Sequence, residues 1–230
     1  MTMNKTQSGF SFIELAVAMF IMTLLLGSIL VPLTTQVERR QISDTTKILE
    51  EARDALLGHA IANGRLPCPD TNNDGTENIS AGVCTTVSGI AHGNLPWRTL
   101  GLAASDAWGN RIRYAVRGEY AQSTTLFSLT TGTANLQVCE TSACTSILTS
   151  SAVAVLLSHG KNGYGATNIN GSTYANPSSA DELENTDADR DFVSRINTEI
   201  GTTAGEFDDV VIWVPLFTLL NRMVTAGKLP

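Results

Sequence analysis

One carboxylate, Glu14, stands near the start of an otherwise apolar run, SGFSFIELAVAMFIMTLLLGSILVP, from Ser8 to Pro32. It is the single ionisable side chain between Phe10 and Leu33. In hydrocarbon a charged carboxylate costs roughly 2.5 to 3.5 kcal/mol on insertion scales, so such a group must find a cation or a proton. The chemistry on offer is charge pairing, either at the positive end of its own helix dipole or with an amine on a neighbouring chain.

A second constellation lies in DTNNDGTEN, where Asp70, Asn72 and Asp74 set oxygen donors at alternate positions ahead of Gly75. This is how a calcium loop opens. Its twelfth position is Ala81, which leaves Glu77 to complete the set, or an acid from DELENTDADRD, the stretch of Asp181, Glu182, Glu184, Asp187, Asp189 and Asp191. A solvated turn of Asp, Asn and Gly is the reading the residues favour. No other cofactor is expected.

Four cysteines, Cys68, Cys84, Cys139 and Cys144, have the even parity of a disulfide framework in an oxidising compartment. Three connectivities are open. Cys68 with Cys84 and Cys139 with Cys144 are favoured, because each pair closes a short loop around turn-forming residues. Zinc is a weak rival, since no C-x-x-C pair with adjacent His completes a tetrahedral set. Catalysis finds little support: His59, His92 and His159 are far apart in sequence, no G-x-S-x-G elbow is present, and SHGKNGYGA lacks the P-loop spacing. The chain is not read as an enzyme. A net charge of -7 with no basic run argues against a nucleic-acid surface.

These residues must be positioned by elements the pattern also announces. The apolar block, about 24 residues or roughly 36 Å of helix, matches the thickness of a bilayer core. Ahead of it MTMNKTQSG carries Lys5, which would hold that end in the cytoplasm and place the rest outside. A removable signal peptide would want a shorter core followed by small residues, and Val31, Pro32 and Leu33 stand there instead. The helix is expected to continue to about Ala62, with Ile42, Thr45, Leu49, Ala52, Leu56 and Ala60 along one face and charges mostly elsewhere. A bend or local melting is expected at Gly27 and Pro32, and a stop at Asn63, Gly64 and Pro67.

Beyond Pro67, strands are predicted at 111–116, 125–130, 136–139, 152–158 and 209–214, and a short terminal helix opens at Pro215 with Gly227 as its stop. The fold class is α+β: a long N-terminal helix packed on a mainly antiparallel sheet.

At its start the sequence resembles the type IV pilin superfamily, which includes the pseudopilins of type II secretion. The residues that carry the likeness are the short leader with Lys5, Gly9, Phe10, Glu14 as fifth residue after the glycine, and the unbroken apolar helix. The resemblance implies that a prepilin peptidase cuts between Gly9 and Phe10 and methylates the new amine of Phe10, and that Glu14 serves assembly. It implies residues 1–9 as leader, 10–33 as membrane and assembly helix, 34–64 as its amphipathic continuation and 65–230 as a periplasmic or extracellular β-rich head. Expected partners are the peptidase, other pilin or pseudopilin subunits, the inner-membrane assembly platform and the lipid bilayer. DAWGNRIRY, from Asp106, is similar to the D-P-W-G-N-P-Y segment of major secretion pseudopilins, with Ala107 in place of proline. That departure and the 230-residue length point to a minor subunit. An adhesin displayed on the same anchor is the alternative.

Overall fold

The computed structural model describes Gly9 and residues 11–132, 134–203 and 205–229, with the backbone course alone for residues 27–33. Two compact units are present, Met1–Gln41 and Ile42–Pro230. The first helix, α1, runs Phe12–Asn63. It is helical through Gly27 and Pro32, so the expected local melting is not found. Proline removes one donor, and the turns on either side carry the ladder on. At the far end Gly64 takes φ 76° and donates its N–H to Ala60 O at 2.7 Å, a left-handed stop that glycine adopts without steric cost.

Among the described residues no helix is long and apolar enough to cross a membrane. The described side chains of the apolar run end at Leu26, short of the ~20 residues a span needs.

Within the second unit the remaining elements follow in order: β1 (Ile79–Ser80), β2 (Val83–Cys84), β3 (Ile90–Asn94), α2 (Trp97–Leu100), β4 (Arg113–Arg117), α3 (Gly118–Ala121), β5 (Leu136–Cys139), β6 (Ile147–Ser158), α4 (Ala180–Glu184), β7 (Asp191–Val193), β8 (Val210–Pro215) and α5 (Leu216–Thr225). β1 and β2 form a small ladder of their own. The main sheet runs β3-β4-β6-β5-β7, with β8 also paired to β6. All pairs are antiparallel except β5 with β7, so the sheet is mixed rather than uniformly antiparallel.

β6 is the spine. Residues 152–158 are all buried, because the strand is covered on both faces. Alternation of side chains sends Ala154 and Leu156 to one core with Tyr114, Val116 and Val214, and Val155 and Leu157 to another with Ile90, Ala115 and Phe192. That explains why SAVAVLLS reads as a continuous apolar run. The first core also receives Leu49, Ala52, Leu56 and Ala60 of α1, all fully buried, and buried Thr45 precedes them on the same stripe. In α5, Leu219 and Met223 are buried at helical spacing.

The strand expected at 125–130 does not form. Phe127 packs on Tyr120 with ring centroids 5.3 Å apart, while Ser128 N–H donates to Thr131 Oγ1 at 2.7 Å and Thr130 N–H to Ser128 Oγ at 3.3 Å. Such local side-chain bonds occupy the groups a ladder would use.

Candidate functional site

At the start of α1, Ser11 and Glu14 form a reciprocal cap. Glu14 Oε2 accepts the Ser11 N–H at 2.9 Å, and Ser11 Oγ accepts the Ile13 N–H at 3.3 Å. The S-x-x-E spacing of a capping box was present in the sequence and went unread there. Gly9 is exposed, and a Cβ added to it would meet nothing within 4 Å. Packing among the described residues therefore gives no reason for glycine at this position. Phe10, the expected new N-terminus, and Lys5 lie outside the described residues. The helix that follows is apolar on every side: Phe12 is 91% exposed, Ile13 73% and Phe20 66%, with Met19, Met22 and Leu26 similarly bare. A surface of this kind is stable only when something apolar covers it.

The disulfides close Cys68–Cys84 and Cys139–Cys144, and among the described residues no cysteine is free. Inside the first loop the four oxygen donors have partners of their own. Asp70 is buried; its Oδ1 accepts the N–H groups of Asn72 and Asn73, and its Oδ2 that of Gly75 at 2.7 Å. Asn72 and Asp74 bond to each other, and Asp74 Oδ1 also takes the Thr76 N–H at 2.7 Å. Glu77 is held by both terminal nitrogens of Arg65 at 2.7 Å and by the Cys68 N–H at 3.0 Å. Burial alone would raise its carboxyl, but these donors outweigh it and hold the group below the usual carboxylate range. Gly75 is required by shape: its φ is 84°, and a Cβ would lie 2.4 Å from the Trp97 ring.

Asp106, of DAWGNRIRY, is likewise a turn anchor. Its Oδ1 accepts the N–H groups of Trp108 and Asn110 at 2.9 Å each, and its Oδ2 accepts the Ser158 hydroxyl at 2.5 Å. The Ser158 proton thus points at Asp106, not at neighbouring His159.

Acids from the DELENTDADRD stretch gather in two places, neither of which includes Asp70 or Asp74. Glu182 joins Asp208 and Asp209, and Glu184 joins Asp189 and Asp191, with carboxylate oxygens in each set within 4.8 Å of one another. Oxygen-only sets of this kind are the chemistry a hard cation uses. Burial, then the charge of Asp209, pushes Glu182 up to about 7. Burial is the leading cause again for Asp208, at about 6, and for Glu184, at about 7.

His92 and His159, far apart in the chain, line one cavity together with Asp70, Arg111 and Arg113. His59 is elsewhere, its Nδ1 3.0 Å from Arg65 O. Sequence separation hid this grouping, and only strand pairing reveals it.

Residues 4–30 match the family model of the prokaryotic N-terminal methylation motif. No curated protein and no solved structure matches the chain.

Proposed function

We infer, from the type IV pilin and pseudopilin signature that residues 4–30 carry, that the chain is a minor subunit of a type II secretion pseudopilus or a type IV pilus. The motif implies processing by a prepilin peptidase and assembly with other pilin subunits. In this reading Gly9 and Phe10 flank the bond that is cut, Phe10 carries the methylated amine, and the remaining helix anchors the subunit in the inner membrane with its head in the periplasm. Inside a bundle of parallel subunits, the protonated amine of an incoming chain meets Glu14 of its neighbour and favours the correct axial register.

The observation that carries the reading is the coincidence of motif and surface: the methylation signature sits on a helix whose apolar side chains, from Phe12 to Leu26, are bare on all sides. Lipid covers such a surface before assembly, and neighbouring helices cover it afterwards.

Mass spectrometry of the membrane-bound product, with and without a prepilin peptidase, tests the reading. The expected product begins at N-methylated Phe10 and depends on the peptidase. A product that retains the first nine residues in the presence of the peptidase overturns it.

A further inference from the structure

Three segments that the filament reading leaves unused converge on one place. Asp70, from RLPCPD, bridges Asn94 of β3, with backbone N–H···O distances of 2.9 and 2.8 Å. Asn94 lies opposite Arg113 of β4, and Arg113 lies opposite Leu157 of β6, two residues before His159. Cross-strand register thus lays RLPCPD, WGNRIRY and SHGKNGYGA side by side. Gly93 makes the approach possible: a Cβ there would stand 2.6 Å from Asp70 O. Between these segments lies a cavity of about 240 Å³, lined by Asp70, His92, Arg111, Arg113, His159 and Gly165 among others.

Its lining carries two arginines and one carboxylate. Arg111 is buried, and its guanidinium bonds, among the described residues, to neutral acceptors: Asn73 Oδ1 at 2.9 Å, Ala104 O at 2.7 Å and Ile169 O at 3.0 Å. Arg113 donates to the Asp187 carbonyl, and its Nε has no partner among the described residues. Among the described residues neither arginine has a carboxylate within ion-pair distance; Asp70, Asp187 and Asp209 act on them only through space. The one carboxylate in the lining, Asp70, spends its oxygens on backbone N–H groups. Both ring nitrogens of His92 and Nδ1 of His159 are enclosed without hydrogen-bond partners among the described residues, and the latter lies 3.7 Å from Asp209 Oδ1. Enclosed polar atoms that lack partners are costly, and here several share one polar cavity.

We propose that this cavity binds a small oxyanion, a single carboxylate or a phosphate, with Arg113 Nε–H and a His92 ring N–H as donors and Arg111 supplying a fixed positive field. A charged acceptor satisfies these donors at once, and charge-assisted bonds of this kind are about twice as strong as neutral ones. The site belongs to the head and is independent of how the N-terminal helix assembles.

The test is calorimetric titration of the full chain in detergent micelles with inorganic phosphate, and separately with acetate, against sodium chloride at matched ionic strength. Saturable binding of at least one oxyanion is expected, with no response to chloride. Arg113→Gln should weaken it about tenfold or more, corresponding to the loss of one charged hydrogen bond. Arg113→Lys keeps the charge but loses the Nε–H and should fall between; a melting curve on each variant confirms the fold. Lys228→Gln, which removes an exposed cation that is not part of the cavity lining, should leave binding unchanged. Absence of saturable binding by the folded wild-type chain overturns the proposal. Equal weakening by Lys228→Gln and Arg113→Gln does so too, since it would mean diffuse surface attraction.

Discussion

Glu14 and Ser11 cap one another: the Glu14 carboxylate takes the Ser11 N–H at 2.9 Å, and the Ser11 hydroxyl oxygen takes the N–H of Ile13. With the proposed pairing to a neighbour's amine, the one acid of the apolar run would have two tasks that substitutions can separate. Glutamine keeps an acceptor for the Ser11 N–H and removes the charge; alanine removes both. Glu14→Ala should cost the helix start about 1 kcal/mol, and Glu14→Gln much less, as read by helicity in micelles. Incorporation into filaments should fall for both variants if pairing with a neighbour's amine governs assembly. Wild-type incorporation of Glu14→Gln would assign the residue to capping alone.

Arg65 and Glu77 make a bidentate pair with side chains only 12% and 17% exposed. Removing one partner leaves a largely desolvated charge, so Glu77→Ala should lower head stability by about 3 kcal/mol in chemical denaturation. Because the folded state holds this carboxyl below its unfolded value, its contribution is fully present above pH ~4.5. It is lost as pH falls through the lower, folded value. A Glu77→Gln variant should show a flatter acid limb.

The acids around Glu182 act with the opposite sign. Glu182 and Glu184 are raised to about 7 and Asp208 to about 6, so between pH ~4.5 and those values the folded chain binds more protons than the unfolded one. Stability from this source is complete at low pH and declines as pH rises to about 7. Melting temperatures taken from pH 5 to 8 with a chelator present should fall across this window, and Glu182→Gln should reduce the slope. A curve rising through the same interval would refute the assignment.

The two disulfides enclose loops of different length, with sequence separations of 16 and 5. Loop-entropy reasoning assigns about 3 kcal/mol to Cys68–Cys84 and about 2 kcal/mol to Cys139–Cys144. Replacing the first pair by serine should therefore lower the melting temperature more than replacing the second.

The parts of the molecule that repeat were readable in the sequence. The buried stripe Thr45, Leu49, Ala52, Leu56 and Ala60 follows from helical period alone, and the disulfide pairs are those favoured by loop length. β5 has the expected bounds, and β4, β6 and β8 lie over the expected segments with shifted ends. What escaped was short or non-local. β3, IAHGN, carries only two apolar residues, and β7 is three residues long, so neither shows a period. The 125–130 segment has strand-like composition, but its hydroxyls satisfy the backbone locally. The D-x-N-x-D-G pattern is shared by calcium loops and Asx turns, and in this loop Gly75 is fitted to Trp97. The grouping of His92, Arg111, Arg113 and His159 depends on β3, β4 and β6 lying in register, which no local pattern encodes.

Because Leu49, Ala52, Leu56 and Ala60 complete the hydrophobic interior that β4, β6 and β8 line, the last turns of α1 are structural members of the head. Severing the chain at Asn63 would not free a soluble globule but unroof one. A separable version must start no later than Ile42, where the second compact unit begins, and proteases that trim α1 past that point should trigger collapse of everything downstream.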